Sequence, residues 1–273
     1  MLMKNKYAIC EWYLSAKGLS AIKTAASMGY EGIQLSDLDG LTQNFPLTDI
    51  RLQEDYLEAA SKYNITFQCL LAQSMIPQGG LKEPLSEPSG ETAFLIFKKA
   101  IEVCVALNIK TCLVASFLNN QFKSDYEMKN TIDNLKLFVE YAENKGIQVV
   151  YEPFCTTEKT LHILDKIPNL QLCYDTLNPL RFGYANPPDE IKRIGIERID
   201  HVHVKDAPEN MVGCWPLGEG SGLVAESISV LKELGYEGWY VEENYVYLSP
   251  MNSLGAGIDL AKKDLEFLQR VCE

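Results

Sequence analysis

Eight short apolar runs rich in Val, Ile, Leu, Tyr and Cys recur along this chain, and each is followed by a segment of helical spacing. No Pro/Ser-rich linker or change of composition interrupts the alternation. The runs are KYAICEWYL, EGIQLSD, ITFQCLLA, KTCLVAS, IQVVYE, LQLCYD, IDHVHVK and GWYVEE. Strands that alternate with helices predict a parallel sheet, because parallel neighbours need a long crossover and a helix supplies it. The predicted helices cover about 15–28, 49–63, 89–107, 124–145, 159–167, 188–193, 223–234 and 251–270. Several ends are legible. Gly29 stops the first helix, Ser124 and Glu127 have capping-box spacing, Gly146 supplies a C′ turn, and Ser249 with Pro250 form an Ncap and N1 for the last helix.

Four of the runs end on a group able to ligate a metal: Glu152, Asp175, His203 and Glu242. Only a closed barrel gathers residues so far apart in sequence, because it brings the C-terminal ends of all its strands to one mouth. The 273 residues, 47% of them hydrophobic, suit one barrel of about 250 residues. The expectation is therefore a single (β/α)8 TIM barrel over residues 1–273, with its site at the C-terminal strand ends. Alternation places Gln148, Val150 and Glu152 on one face of the fifth strand, and His201, His203 and Lys205 on one face of the seventh. In the eighth strand it groups Tyr240 with Glu242 opposite Val241, which makes Glu243 the weaker candidate. Three carboxylates and one imidazole form a hard O/N set that suits Mn²⁺ first, then Mg²⁺, with Co²⁺ or Zn²⁺ as alternatives. Long Gly/Pro-rich connections after the third and seventh runs, about 73–88 and 206–222, belong to the mouth and to substrate recognition.

A net charge of −12 argues against a nucleic-acid partner, whose phosphates need Lys and Arg. It leaves open a sugar phosphate, since local cations such as Lys205 or Arg181 can outweigh the global field. The eight cysteines are dispersed without a CxxC and read as reduced core residues, which implies a cytoplasmic protein. No signal sequence or membrane span is expected.

The segments GYEGIQLS, ENKGIQVVYEP, YDTLN, HVHVKD, PLGEGSG and GYEGWYVEEN, in this order and over nearly the whole chain, resemble the xylose-isomerase-like TIM-barrel superfamily. The similarity is to its branch of sugar isomerases and epimerases. The resemblance implies a divalent metal held by Glu152, Asp175, His203 and Glu242, with Glu152 and Glu242 on opposite faces of a bound sugar as the proton-transfer pair. Two positions depart from the family pattern: Asn178 stands where many members have histidine, and Gln34 where many have glutamate. An amide at 178 positions a hydroxyl and does not relay a proton.

Chemically, a metal that chelates a carbonyl and the adjacent hydroxyl acidifies the intervening C–H and stabilises an enediolate. Two carboxylates then exchange the proton. Isomerisation or epimerisation of a ketose or ketose phosphate is the expected activity. The expected substrate-binding residues are Asn178, Lys205, Asp206, Glu158, Arg181, Trp12 and Trp215, with Phe45 as a further aromatic wall. Competing readings are an inosose-type dehydratase, which expels water from the same enediolate, and a non-catalytic sugar-binding barrel. An apurinic-site endonuclease is disfavoured by the charge and by only three histidines. Homo-oligomerisation is a family-level expectation.

Overall fold

The computed structural model describes residues 5–37, 44–209, 211, 213, 215–244 and 256–272. Eight parallel strands close into a barrel in sequential order. They are β1 (Lys6–Cys10), β2 (Gly32–Ser36), β3 (Thr66–Leu71), β4 (Thr111–Ala115), β5 (Gln148–Glu152), β6 (Gln171–Asp175), β7 (Ile199–Val204) and β8 (Trp239–Glu242). Each is followed by a principal helix: α1 (Leu19–Met28), α2 (Ile50–Tyr63), α3 (Pro88–Ala106), α4 (Asp125–Glu143), α5 (Thr157–Lys166), α6 (Pro187–Ile194), α7 (Val224–Glu233) and α8 (Ala256–Cys272). The strands are short, buried on both faces and linked by crossovers, as an all-parallel sheet requires.

Helix ends follow local chemistry. Gly29 leaves α1 at φ 99°, a conformation that a side chain disfavours. Asp49 Oδ1 accepts from the N–H groups of Arg51 and Leu52 at 2.9 and 3.4 Å to start α2. Ser124 Oγ accepts from Glu127 N at 3.2 Å, while Glu127 Oε2 reaches back past the cap to Lys123 N at 2.6 Å. The capping box thus closes one residue earlier than its spacing predicts. The expected cap at Ser249 and Pro250 lies outside the described residues. The connection after β3 is not extended, since it contains helical turns at Met75–Gln78 and Gly80–Lys82. Another short turn, Asn178–Arg181, follows β6.

Side chains alternate between two packed layers. Small groups fill the barrel interior, among them Ala8, Cys10, Cys69, Leu113, Ala115, Val150, Cys173 and Val241. Ile9, Leu35, Leu70, Val114, Tyr151, Val202 and Tyr240 point the other way into the helix layer. Gly32 has a specific reason to lack a side chain: a Cβ there would meet the Trp239 ring at 2.7 Å. Between α3 and α4, Phe97 and Phe138 stack with centroids 4.2 Å apart and planes 8° apart. The cysteines among the described residues are free and buried, and Cys214 lies outside them. No described helix is long and apolar enough to cross a membrane. Truncating the fully buried Phe138 to alanine removes the stack and leaves a cavity, so Phe138→Ala is expected to cost about 3–5 kcal/mol in chemical denaturation, without loss of barrel circular dichroism.

Candidate metal centre

Glu152 ends β5, Asp175 ends β6, His203 lies near the end of β7, and Glu243 directly follows β8. Each offers one ligating atom, and these atoms all lie within 4.8 Å of one another. Glu152 and Glu243 of the cluster border a cavity of about 630 Å³, lined also by Trp12, Phe117, Asn178, Phe182 and Lys205, with Asp175 and His203 buried behind them. That size is within the usual range for a small-molecule site.

The structure corrects the expectation for Glu242. In parallel strands laterally paired residues face the same way. Val241 pairs with His203 and with Ala8, both interior, whereas Glu242 pairs with Val204 and Ile9, both in the helix layer. Val241 and Glu243 therefore face the barrel axis, and Glu242 faces α8. There Glu242 Oε1 accepts from Asn244 N at 3.1 Å, and its carboxyl bonds that of Asp264. Burial, then the charge of Asp264, pushes Glu242 well above the usual carboxylate range. Buried behind the sheet, Glu242 is not among the residues that line the cavity. Its apolar neighbour Val241 suggested the wrong parity because the interior at this level is apolar too.

At the mouth a cation already sits among the acids. Lys205 Nζ lies 2.7 Å from both Asp175 Oδ2 and Glu243 Oε2. Burial works against ionisation of Glu243, but Lys205 and His203 outweigh it and hold this carboxyl well below its ordinary range. Glu152 has weaker support, so burial and the charge of Glu243 raise it to about 7. Asp175 is raised by burial, against the pull of Lys205. Its Oδ1 also accepts the backbone N–H groups of Leu177 and Asn178 at 2.8 and 2.6 Å, which fixes the carboxylate plane.

A buried polar chain orients the imidazole. Gln34 Oε1 lies 2.6 Å from His203 Nε2, and Gln34 Nε2 lies 3.2 Å from His201 Nε2. An amide oxygen only accepts and an amide nitrogen only donates, so His203 carries its proton on Nε2 toward Gln34. Its Nδ1 then faces the carboxylates, 3.3 Å from Glu243 Oε2 and 4.0 Å from Glu152 Oε1. Nδ1 has no hydrogen-bond partner. Burial works against a charged His203, but the charges of Glu243 and Glu152 outweigh it and raise the imidazole's hold on a proton at Nδ1; a bound cation would displace that proton and take the lone pair, and the outer amide holds the ring as a ligating histidine needs. The donor set thus fits a hard divalent ion. Cys10 stays outside this set: its thiol donates to Gln34 Oε1 at 3.3 Å, and burial keeps it protonated.

The other expected binding residues divide. Asn178 lines the cavity and its Nδ2 donates to Glu152 Oε1 at 3.2 Å. Trp12 lines it too, its Nε1 donating to Glu243 Oε1 at 3.3 Å, and Lys205 lies between the acids. Asp206 is buried in its own loop, where it accepts four backbone N–H bonds. Arg181 Nη2 donates to the carbonyls of Ala207 and Pro208. Glu158 pairs on the surface with Arg193. Trp215 forms a backbone bridge with Asp206 and lies outside the cavity lining, and Phe45 packs against the helix-layer core. These five do not contact the cavity.

The sequence reasoning missed Asp37, whose carboxylate is fixed by Ser74 N and Oγ at 2.9 and 2.8 Å, and the orienting role of Gln34. It also missed Glu11, which accepts from Gly18 N and Ser36 N and so anchors the turn carrying Trp12. A polar residue at an inward position of an apolar strand was the available signal for Gln34.

Two measurements test this geometry. In titrations with Mn²⁺ followed by calorimetry, Glu243→Gln is expected to weaken binding by at least about tenfold and Glu242→Gln by less than about threefold. The carboxyl of the buried Asp264 is raised to about 7, first by burial. It therefore holds its proton to higher pH in the fold than in the unfolded chain. Its stabilisation is full below the ordinary aspartate range and is lost as pH rises through about 7. Raising the pH from 5 to 8 should lower the Tm of the native protein more than that of Asp264→Asn.

Comparison with known proteins agrees with this architecture. The chain is 25% identical over 232 residues to the 2-epi-5-epi-valiolone 7-phosphate 2-epimerase of an Actinoplanes species, covering 84% of this chain and 83% of that protein. The crystal structure of D-psicose 3-epimerase from Clostridium cellulolyticum H10 with D-tagatose superposes with a TM-score of 0.78 at 14% identity, covering 98% of this chain and 99% of that one. The IolI protein, crystallised with a zinc atom, gives 0.75 at 19% identity over 98% of each chain. With residues 22–271 matched by the family model, the chain belongs to the xylose isomerase-like TIM barrel family.

Proposed function

We propose that this protein is a divalent-metal-dependent enzyme of the isomerase class that epimerises or isomerises a sugar or related polyhydroxy ketone. One observation carries the reading: polar atoms of Glu152, Asp175, His203 and Glu243 converge within 4.8 Å of one another, and Glu152 and Glu243 of this cluster border an open cavity. The similarity to sugar epimerases supports it. Glu152, Asp175, His203 and Glu243 would hold the ion, with Mn²⁺ as first choice for this O/N set. Bound there, the ion supplies Lewis-acid polarisation of a substrate carbonyl.

The residues of the chain provide the rest. Glu152 and Glu243 both border the cavity and arise from strands three places apart around the barrel. A ketone seated between them presents one face to each. One carboxylate removes the proton from the carbon beside the carbonyl, leaving an enediolate on the substrate. The other delivers a proton to the opposite face of the same carbon, which inverts it, or to the neighbouring carbon, which exchanges aldose for ketose. Asn178 holds Glu152 by its amide and Trp12 holds Glu243 by its indole N–H, so both carboxylates keep a fixed direction. Lys205 lies within reach of substrate oxygens in the same cavity and offsets charge that develops there.

The test is solvent-deuterium incorporation followed by NMR in D₂O with Mn²⁺ over a panel of ketoses and cyclic polyol ketones. Deuterium should appear beside the carbonyl, and Glu152→Gln and Glu243→Gln should each lower the rate by about 10²–10⁴-fold. Glu242→Gln should retain exchange within about tenfold, as expected for a residue outside the proton path. Full exchange in both Glu152→Gln and Glu243→Gln would overturn the assignment.

A further inference from the structure

Resting on the reaction just proposed, we infer that the site takes an uncharged, unphosphorylated polyhydroxy ketone whose carbon–hydrogen face lies against an aromatic wall. Three observations point the same way.

The first is the glycine-rich loop after β7, PLGEGSG at residues 216–222. Barrels commonly hold substrate phosphates with backbone amides of loops after the last strands, and glycine-rich turns with successive inward N–H groups suit an anion. Here the anion is internal. Asp206 Oδ2 accepts from Gly218 N and Gly220 N at 2.9 and 3.1 Å, and Oδ1 from Ala207 N and Gly222 N at 2.8 and 2.9 Å. A Cβ at Gly220 would strike the same carboxylate, and one at Gly222 would approach it to 2.7 Å. These glycines let the loop close on Asp206, so their amides are spent within the chain.

Charge is the second. Among the described residues lining the cavity, Asp37, Glu152 and Glu243 face a single cation, Lys205, which is itself held by Asp175 and Glu243. Arg181 is committed to two backbone carbonyls. The segments 38–43 (LDGLTQ) and 245–255 (YVYLSPMNSLG), which follow β2 and β8, contain no Lys or Arg. A phosphate monoester brings about −1.5 to −2 charges at neutral pH. It would enter a site where the carboxylates of Asp37, Glu152, Asp175 and Glu243 still outweigh Lys205 and a bound divalent ion together, and where the one cationic side chain among the described lining residues is already engaged.

The third is the wall. Trp12, Phe117 and Phe182 line the cavity together with Ile76, Pro77 and Leu118. Phe154 packs on both Phe117 and Phe182, with centroids at 4.9 and 4.5 Å, and braces them from behind. Braced rings offer a flat apolar surface to the C–H face of a sugar or cyclitol at little entropic cost, whereas phosphate oxygens gain nothing from it.

The experiment is equilibrium binding by calorimetry to the Mn²⁺-loaded native protein, with each ligand first brought to equilibrium by the enzyme so that no net turnover contributes heat. Each neutral ketose or cyclic polyol ketone is paired with its own phosphate ester. The neutral member should bind at least about tenfold more tightly than its ester. Leu118→Arg, at an exposed position on the cavity rim, should shift that ratio toward the ester by about tenfold or more. Phe182→Ala should weaken the neutral ligand and leave the ratio in favour of it. Equal or tighter binding of the esters overturns the inference, and so does a failure of every neutral compound to bind. The two readings separate cleanly: neutral ligands that bind without deuterium exchange in the native enzyme sink the reaction and keep the ligand class. Exchange confined to esters does the reverse.

Discussion

Everything at the mouth of this barrel depends on how three ionisable carboxyls are tolerated within a few ångströms of one another in a buried setting. Like charges at such distances repel strongly where water is scarce. The structure answers with Lys205 between Asp175 and Glu243, with backbone amides on Asp175, and with a raised affinity of Glu152 for its proton. A divalent ion at the same place would satisfy all three acids and the unshared Nδ1 of His203 at once. The repulsion that burdens the fold is thus the same term that gives the centre its attraction for a cation.

Closure of the sheet makes this arrangement affordable. Each residue of the cluster lies at, just before or just after the end of its strand, and the strands are held in register on both sides, so its position is set by the barrel as a whole. Below the ligands, Gln34 and His201 form a fully buried polar layer that fixes the His203 tautomer. Below that, the axis is filled by small apolar groups and by Trp239 over Gly32. Polarity along the barrel axis therefore rises toward the cavity.

The loops divide the remaining labour. The turn after β1 carries Trp12 and is anchored by Glu11, while the turn after β6 supplies Asn178 to Glu152. The glycine-rich loop after β7, which reads as a ligand-binding element in the sequence, is folded around Asp206. Arg181 and Trp215 belong to this scaffold as well. Charged and aromatic residues near strand ends were easy to nominate as binding groups, but five of the nominations serve loop packing or the surface, because a side chain's partner is set by contacts remote in sequence.

The sequence by itself determined the eightfold βα order and the strand positions, and it singled out Glu152, Asp175 and His203, whose polar atoms the structure brings together. Alternating burial and the recurrence of polar residues at strand ends are local properties that a linear pattern records. It left the choice between Glu242 and Glu243 open to error, because adjacent identical side chains differ only in which face of β8 they occupy. That face is decided by the pairing of Val241 with Ala8 and His203, and pairing exists only when the barrel closes. The same holds for Lys205, whose charge was visible in the sequence but whose place between two acids was decided by strands that meet only in three dimensions.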